Sequence, residues 1–223
     1  MPSKSSKAWG VAAPGESRIP ATLAIVSAAA LNFLLPGKFT LGPPWLFPLI
    51  EMTIVVPLLI ASPRRRSKEA RLEQYGAVAL IAIANLANVT SLYLLIRELL
   101  LHSKNINGPE LLYSSVAIWL TNVVVFALWF WELDRGGPDD RMNPDHGAPD
   151  FLFPQMVTPE CTDAAWTPKF FDYLYLAFTN ATAFSPTDTM PLSAMAKMLM
   201  LVESLASLAT IAIVASRAVN ILG

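Results

Sequence analysis

Residues 175–191 read Tyr175-Leu176-Ala177-Phe178-Thr179-Asn180-Ala181-Thr182-Ala183-Phe184-Ser185-Pro186-Thr187-Asp188-Thr189-Met190-Pro191, a polar stretch between two apolar segments. The helical run that leads into it, Phe170–Ala183, is shorter than the roughly 20 residues that a helix needs to cross a bilayer. This length favours a re-entrant helix followed by irregular backbone, which is tolerated at membrane depth when it is buried in protein or lines a wet cavity. An amphipathic helix on the membrane surface is the alternative.

Composition indicates a membrane protein. Hydrophobic residues make up 54% of the 223 positions and charged residues only 15%, against roughly 25% charged residues in a soluble domain. Five apolar runs fall near the roughly 17–25 residues of a spanning helix: Ile19–Leu35, Pro44–Ala61, Tyr75–Leu101, Leu111–Trp131 and Ala194–Leu222. We therefore predict an all-α, polytopic helical membrane protein with five transmembrane helices and a re-entrant helix before the last span.

The chain divides into three parts. Residues 1–18, with Lys4, Lys7 and Arg18, are typical of a disordered basic tail, with a signal peptide as the disfavoured alternative. Residues 19–109 hold the first three spans, and residues 110–223 hold the last two with the long loop between them. Within that loop we expect the apolar piece from Phe151 to Met156 to pack on the membrane surface or a neighbouring subunit, unless the loop is a flexible linker.

Basic residues set the expected orientation, because Lys and Arg near span ends favour the cytoplasm. With five spans, twelve basic residues fall on the side of the N-terminus and of the long loop, and four on the other side. We predict a multi-pass protein of the plasma (inner) membrane with a cytoplasmic N-terminus. The 175–191 stretch then lies on the cytoplasmic side, unless the basic loop from Pro63 to Arg71 is an extracellular exception.

Residues 175–191 resemble the pore loop of tetrameric potassium channels. That family has the pattern Y-x-x-F-T-T-x-T-T-V-G-Y-G-D-x-x-P, which is matched without a gap by Tyr175, Phe178, Thr179, Thr182, Asp188 and Pro191. The chain is also similar to a group of uncharacterised small bacterial membrane proteins that carry a degenerate version of this loop. The resemblance covers about residues 110–222 and implies a homotetramer, with a pore helix between an outer and an inner helix.

The ion filter of that family is replaced. Phe184-Ser185-Pro186-Thr187 stands where the family has Val-Gly-Tyr-Gly, and it has no glycine to turn carbonyl groups toward an axis. Pro186 further restricts the backbone. The predicted pore residues are Thr179, Thr182, Ala183, Phe184, Ser185, Pro186, Thr187 and Asp188, and a ring of Asp188 carboxylates would favour cations.

The last span carries polar residues on one helical face. Glu203, Ser207 and Thr210 recur at spacings of four and three residues, and ionisable residues inside a span tend to face a bundle interior or a watery path. We expect these three residues to line the cavity beyond the pore loop. A hydrogen bond from Glu203 to a neighbouring span is the alternative.

The predicted function is a channel-like membrane protein, a homotetramer that passes inorganic ions without potassium selectivity and with weak cation preference. The alternative is a non-conducting structural or regulatory oligomer built on the same scaffold. No nucleophile motif, metal-ligand spacing or nucleotide-binding glycine pattern is present, so we predict neither an enzyme nor a cofactor or metal. The net charge of −1 gives no reason to expect a nucleic-acid partner; the expected partners are the lipid bilayer, other copies of the chain and ions.

Overall fold

The computed structural model describes residues 16–43, 45–50, 53, 67–101, 107–143, 147–158, 160, 166–182 and 188–222. Within these residues, three helices are long and apolar enough to cross a membrane: Gln74–Leu101, Gly108–Gly136 and Ala194–Ser216. They correspond to the third, fourth and fifth predicted spans. This much of the sequence-based prediction is confirmed, and the molecule is compatible with a membrane-embedded protein.

The described part of the chain is mostly helical. In chain order the longer elements are α1 (Ile19–Phe33), α2 (Ser67–Leu101), α3 (Gly108–Leu133), α4 (Pro154–Val157), α5 (Phe170–Thr182) and α6 (Ala194–Leu222). Short 3-10 turns occur at Gly37–Phe39, Asp134–Gly136 and Asp140–Met142, and residues 46–50 are also helical. The strands β1 (Phe151–Leu152) and β2 (Met190–Pro191) pair in antiparallel fashion and are the one departure from the all-α prediction among the described residues.

The first two predicted spans have different outcomes. Helix α1 starts with Pro20 in its first turn, a position that proline favours, and its 15 residues make it about 22 Å long. It is therefore an apolar helix shorter than the other three. The predicted span Pro44–Ala61 lies mostly outside the described residues and stays a prediction.

Helix α3 runs antiparallel to α1 and α2, as the contacts at the helix ends show. Arg18 donates to Asp139 Oδ2 (2.7 Å), Gln74 donates to the carbonyl of Gly136 (2.6 Å), and Tyr173 donates to Asp134 Oδ2 (2.6 Å). The end of α3 thus meets the beginnings of α1 and α5 and the part of α2 around Gln74. We call this region of the molecule the polar end. At the opposite end Lys38, after α1, pairs with Glu110, at the start of α3, at 2.7 Å.

Helices α5 and α6 both begin at the polar end and run parallel to each other; we call this pair the hairpin and α5 the hairpin helix. The N–H of Leu192, just before α6, donates to the carbonyl of Asp150 (2.8 Å), and the Asp150 side chain accepts from Arg135 N (3.0 Å). Farther in, Asn180 of α5 donates to Met200 O of α6 (2.9 Å). Helix α5 therefore runs inward for about 20 Å, whereas Leu192, just before α6, lies back at the polar end.

Two expectations about the loops are wrong. The piece from Phe151 to Met156 packs inside its own chain, where Phe151 lies 5.0 Å from Phe130 and 6.4 Å from Tyr173 between ring centroids. Residues 16–18 are part of the fold rather than of a disordered tail, because Glu16 and Arg18 bond to residues at the polar end. Residues 1–15 lie outside the described residues.

Candidate functional site

The predicted pore segment is only partly described. Ala183, Phe184, Ser185, Pro186 and Thr187 lie outside the described residues, and Asp188 is exposed. The hydroxyls of two predicted pore residues are used within α5: Thr179 donates to Tyr175 O and Leu176 O (2.9 and 3.0 Å), and Thr182 donates to Thr179 O (2.9 Å). Both hydroxyls are thus bonded to carbonyls of their own helix.

The three residues predicted to line a cavity lie inside one chain. Glu203 and Ser207 are fully buried and Thr210 is 3% exposed. Asn122 of α3 donates to Ser207 Oγ (3.0 Å) and to Glu203 O (3.2 Å), and Thr210 donates to Ala206 O (2.8 Å). This placement differs from the expected cavity lining, because the polar face of α6 packs on α3 and α5 of the same chain.

Glu203 joins the hairpin helix to the last helix. Asn180 Nδ2 donates to Glu203 Oε2 (2.7 Å), and Ser204 Oγ donates to Asn180 O (3.4 Å). The Glu203 carboxyl group therefore bonds the short helix α5, and its backbone carbonyl accepts from Asn122 of α3, so both contacts lie within the chain. We call Asn122, Asn180, Glu203, Ser204 and Ser207 the Glu203 junction.

The junction is incompletely satisfied. Glu203 Oε1 and Asn122 Oδ1 are buried without a hydrogen-bond partner among the described residues, and no salt bridge to Glu203 occurs in that part of the chain. Burying an unpaired carboxylate is costly, whereas a carboxylic acid can also donate a hydrogen bond. The arrangement therefore suits an uncharged Glu203 side chain.

Sequence reasoning missed Asn122 and Asn180. Asparagine inside an apolar helix commonly bonds a neighbouring helix, so the signal was present in both segments. What the sequence did not reveal was the pairing, because Asn122 is 81 residues and Asn180 is 23 residues from its Glu203 partner.

The outward faces of the hairpin are apolar. On α6 the exposed large side chains are Met195, Met198, Leu201, Val202, Leu205 and Leu208, and on α5 they are Phe171, Tyr175 and Phe178. An axis formed by the outer face of α6 would therefore be lined by hydrocarbon.

A second polar group, the Asp134 cluster, closes the polar end: Asp134, Arg135, Arg141, Asp150 and Tyr173. Asp134 Oδ1 accepts from Asp150 N (2.8 Å), while its Oδ2 accepts from Tyr173 and from Arg135 Nε (2.6 and 3.3 Å). Arg141 Nη1 donates to Trp131 O and Asp134 O (2.6 and 3.1 Å). The carboxylate is thus fully bonded and has a cationic partner.

Backbone and burial shape the cluster. Arg135, Gly136 and Gly137 have φ values of 56°, 83° and 100°, a left-handed turn that two glycines permit and that brings residues 139–143 back over the end of α3. Burial, and secondarily the Asp134 charge, raise the pKa of Tyr173 well above its usual value. Tyr173 therefore stays protonated and keeps its hydroxyl donor on Asp134.

The described residues hold no group of three or more His, Cys, Asp or Glu side chains that could bind a metal ion. Comparison with known proteins adds no assignment: no protein-family model, no curated protein and no solved structure matches the chain.

Proposed function

We propose that the chain is a multi-pass membrane protein built on a pore-loop scaffold, in which four copies form a channel-like assembly. The observation that carries the proposal is the hairpin. A helix of 13 residues is too short to span, begins at the same end as the long apolar helix that follows it, and packs one face against α3 and α6 while Phe171 and Tyr175 stay exposed. Trp119 of α3 meets Phe178 of α5 at 5.7 Å between ring centroids.

The proposed topology has five crossings with the hairpin entering from the polar end. Support comes from basic residues: Arg18, Arg135 and Arg141 all contribute contacts at that end, as the grouping of twelve basic residues requires. By the positive-inside rule this end is cytoplasmic, which makes the pore loop inverted relative to potassium channels.

The proposed path has two parts. Residues 182–188 lie next to the symmetry axis and lack the glycines of a potassium filter, so selectivity for potassium is absent and Asp188 gives a weak preference for cations. Beyond them the outer face of α6 forms an apolar constriction, which opens and closes to ions by wetting and dewetting.

A non-conducting oligomer is the second candidate, and a specific observation favours it. The polar residues of α6 are used inside the chain by Asn122 and Asn180, which leaves Leu205 and its apolar neighbours outside. In that case the apolar face packs against lipid or another copy without a conducting path.

Reconstitution in planar bilayers separates the two candidates. We expect cation currents whose reversal potentials differ little between potassium and sodium gradients, with a larger current for Leu205→Asn because a polar side chain wets an apolar constriction. Leu86→Asn is the matched control, because Leu86 is equally exposed on α2 (62% against 57%). Strong potassium selectivity would contradict the filter argument, and silence of both the wild type and Leu205→Asn would favour the non-conducting oligomer.

A further inference from the structure

A half-open cavity of about 320 Å³ lies at the polar end, beside the first turns of α1 and α5. Its walls include Glu16, Pro20, Arg141, Lys169, Phe170 and Phe171. Neither the Glu203 junction nor the described pore residues Thr179, Thr182 and Asp188 are among its lining residues. Its lining combines charged groups with apolar surface, which suits an amphipathic ligand.

Arg141 gives the cavity a buried donor with no acceptor. Its side chain is 1% exposed, and its Nη1 is used by Trp131 O and Asp134 O. Its Nη2 has no hydrogen-bond partner among the described residues, the carboxylate oxygen Oε2 of Glu16 being 3.6 Å away. A buried guanidinium nitrogen left open in this way calls for an acceptor such as a phosphate oxygen.

The charge balance of the cavity is positive. Glu16 is the one carboxylate among its lining residues, and both oxygens are occupied: Oε1 accepts from Phe170 N (2.7 Å) and Oε2 from Trp131 Nε1 (2.9 Å). Lys169 is exposed, and no described carboxylate forms a salt bridge with it. The Asp172 carboxylate lies outside this lining and accepts from Lys169 N (2.7 Å), so the lining residues themselves carry one cation in excess, which favours an anion.

Two apolar stripes lead away from the cavity. Phe171, Tyr175 and Phe178 follow each other on the exposed side of α5 at spacings of four and three residues. Leu23 of α1 is 61% exposed and lies on the same helical face as the cavity residue Pro20, three residues earlier. Because α1 and α5 both begin at the polar end, the stripes run the same way, from the cavity into the apolar zone.

We propose that this cavity binds an anionic phospholipid of the surrounding bilayer. Lys169 and Arg141 Nη2 hold the phosphate, and the acyl chains lie along the stripes of α1 and α5. The site is within one chain and next to the capped start of the hairpin helix, so the bound lipid braces that helix. It does not depend on conduction, and its failure would leave the proposed function untouched.

Native mass spectrometry of the detergent-purified chain, titrated with phosphatidylglycerol or phosphatidylcholine, tests the site. We expect tighter binding of phosphatidylglycerol, and a loss of about fivefold in its affinity for Lys169→Gln, the effect of one basic residue near an anionic headgroup. Lys197→Gln is the matched control, since Lys197 is exposed at the start of α6 and is not part of the cavity lining. Equal titrations for Lys169→Gln and Lys197→Gln, or for the two lipids, would overturn the proposal.

A second variant separates a lipid from free phosphate. Phe171→Ser shortens the aromatic stripe at the cavity mouth, and we expect it to weaken phosphatidylglycerol binding while thermal unfolding without added lipid stays unchanged. Inorganic phosphate at millimolar concentration should not displace the lipid. Displacement by inorganic phosphate together with unchanged lipid binding by Phe171→Ser would instead assign the cavity to a small phosphate ligand and overturn the lipid.

Discussion

The Glu203 junction and the Asp134 cluster each bury one carboxyl group completely, and they do so in opposite ways. Asp134 accepts hydrogen bonds on both oxygens and has Arg135 beside it. Glu203 has one hydrogen bond from an amide, and its other oxygen is open within the described residues. The comparison teaches that burial alone does not define the role of a carboxyl group: the first arrangement requires a charge and the second tolerates a neutral group.

The largest expected effect is at Asp134. Asp134→Asn keeps the size of the side chain but removes the negative charge between Arg135 and Arg141, and breaking a buried ion pair from one side costs about 3–5 kcal/mol. Thermal or denaturant unfolding in detergent, followed by tryptophan fluorescence, measures it. Glu160→Gln, at an exposed residue, is the control, and equal stability of the two variants would mean that Asp134 is not charged in the fold.

Removing the partner hydroxyl should cost less. Tyr173→Phe deletes one hydrogen bond to a charged acceptor, worth about 1.5–3 kcal/mol. Because burial raises the pKa of Tyr173, its hydroxyl ionises more easily in the unfolded chain, so wild-type stability should fall as pH rises above about 10, by up to about 1.4 kcal/mol per unit. The stability of Tyr173→Phe should not show this part of the fall with rising pH. An equal loss of stability at alkaline pH in both proteins would contradict the prediction.

At the junction, Asn180→Ala removes the donor to Glu203 and leaves both carboxyl oxygens without a partner. A buried polar group without its partner costs about 1–3 kcal/mol, and the loss should be local to the contact between α5 and α6. Hydrogen exchange of α5 measures that contact, with Thr90→Ala on exposed α2 as the control. Unchanged protection of α5 would show that the hairpin is held by apolar packing alone.

The smallest effect is expected for Glu203→Gln, which makes the same carboxyl-to-amide change as Asp134→Asn. Glu203→Gln retains an acceptor for Asn180 and adds a donor for the open position, so the free energy of unfolding should change by less than about 1 kcal/mol. Glu203→Leu, which removes the acceptor, is the comparison variant. A cost for Glu203→Gln as large as that for Asp134→Asn would erase the distinction between the two sites.

The sequence was a good guide where length decides the outcome. The sequence predicts a helix at Phe170–Ala183, and α5 runs from Phe170 to Thr182. A helix of thirteen or fourteen residues is too short to cross the apolar zone of a bilayer. The spans at α2, α3 and α6 were predictable for the same reason. The burial of Phe151 was not, since an apolar piece in a loop does not indicate which surface covers it.

Periodicity correctly predicts which residues share the Glu203 face of α6, but it does not predict which helices pack against that face. A helical repeat determines that Glu203, Ser207 and Thr210 share a side, but the partner of that side depends on how α3 and α5 pack. Asn122 and Asn180 turn the face inward, and neither stands out by spacing. Pairing between residues so far apart in the chain can be identified only in the three-dimensional structure.

Glu16 has a consequence for the order of assembly. It accepts the N–H of Phe170, a residue 154 positions later in the chain, so the cap on the hairpin helix is unavailable until about three-quarters of the 223 residues have been made. At roughly 5–20 residues per second, Glu16 waits on the order of 8–30 s for that partner. During synthesis the start of α5 is therefore capped by a residue that was made long before it.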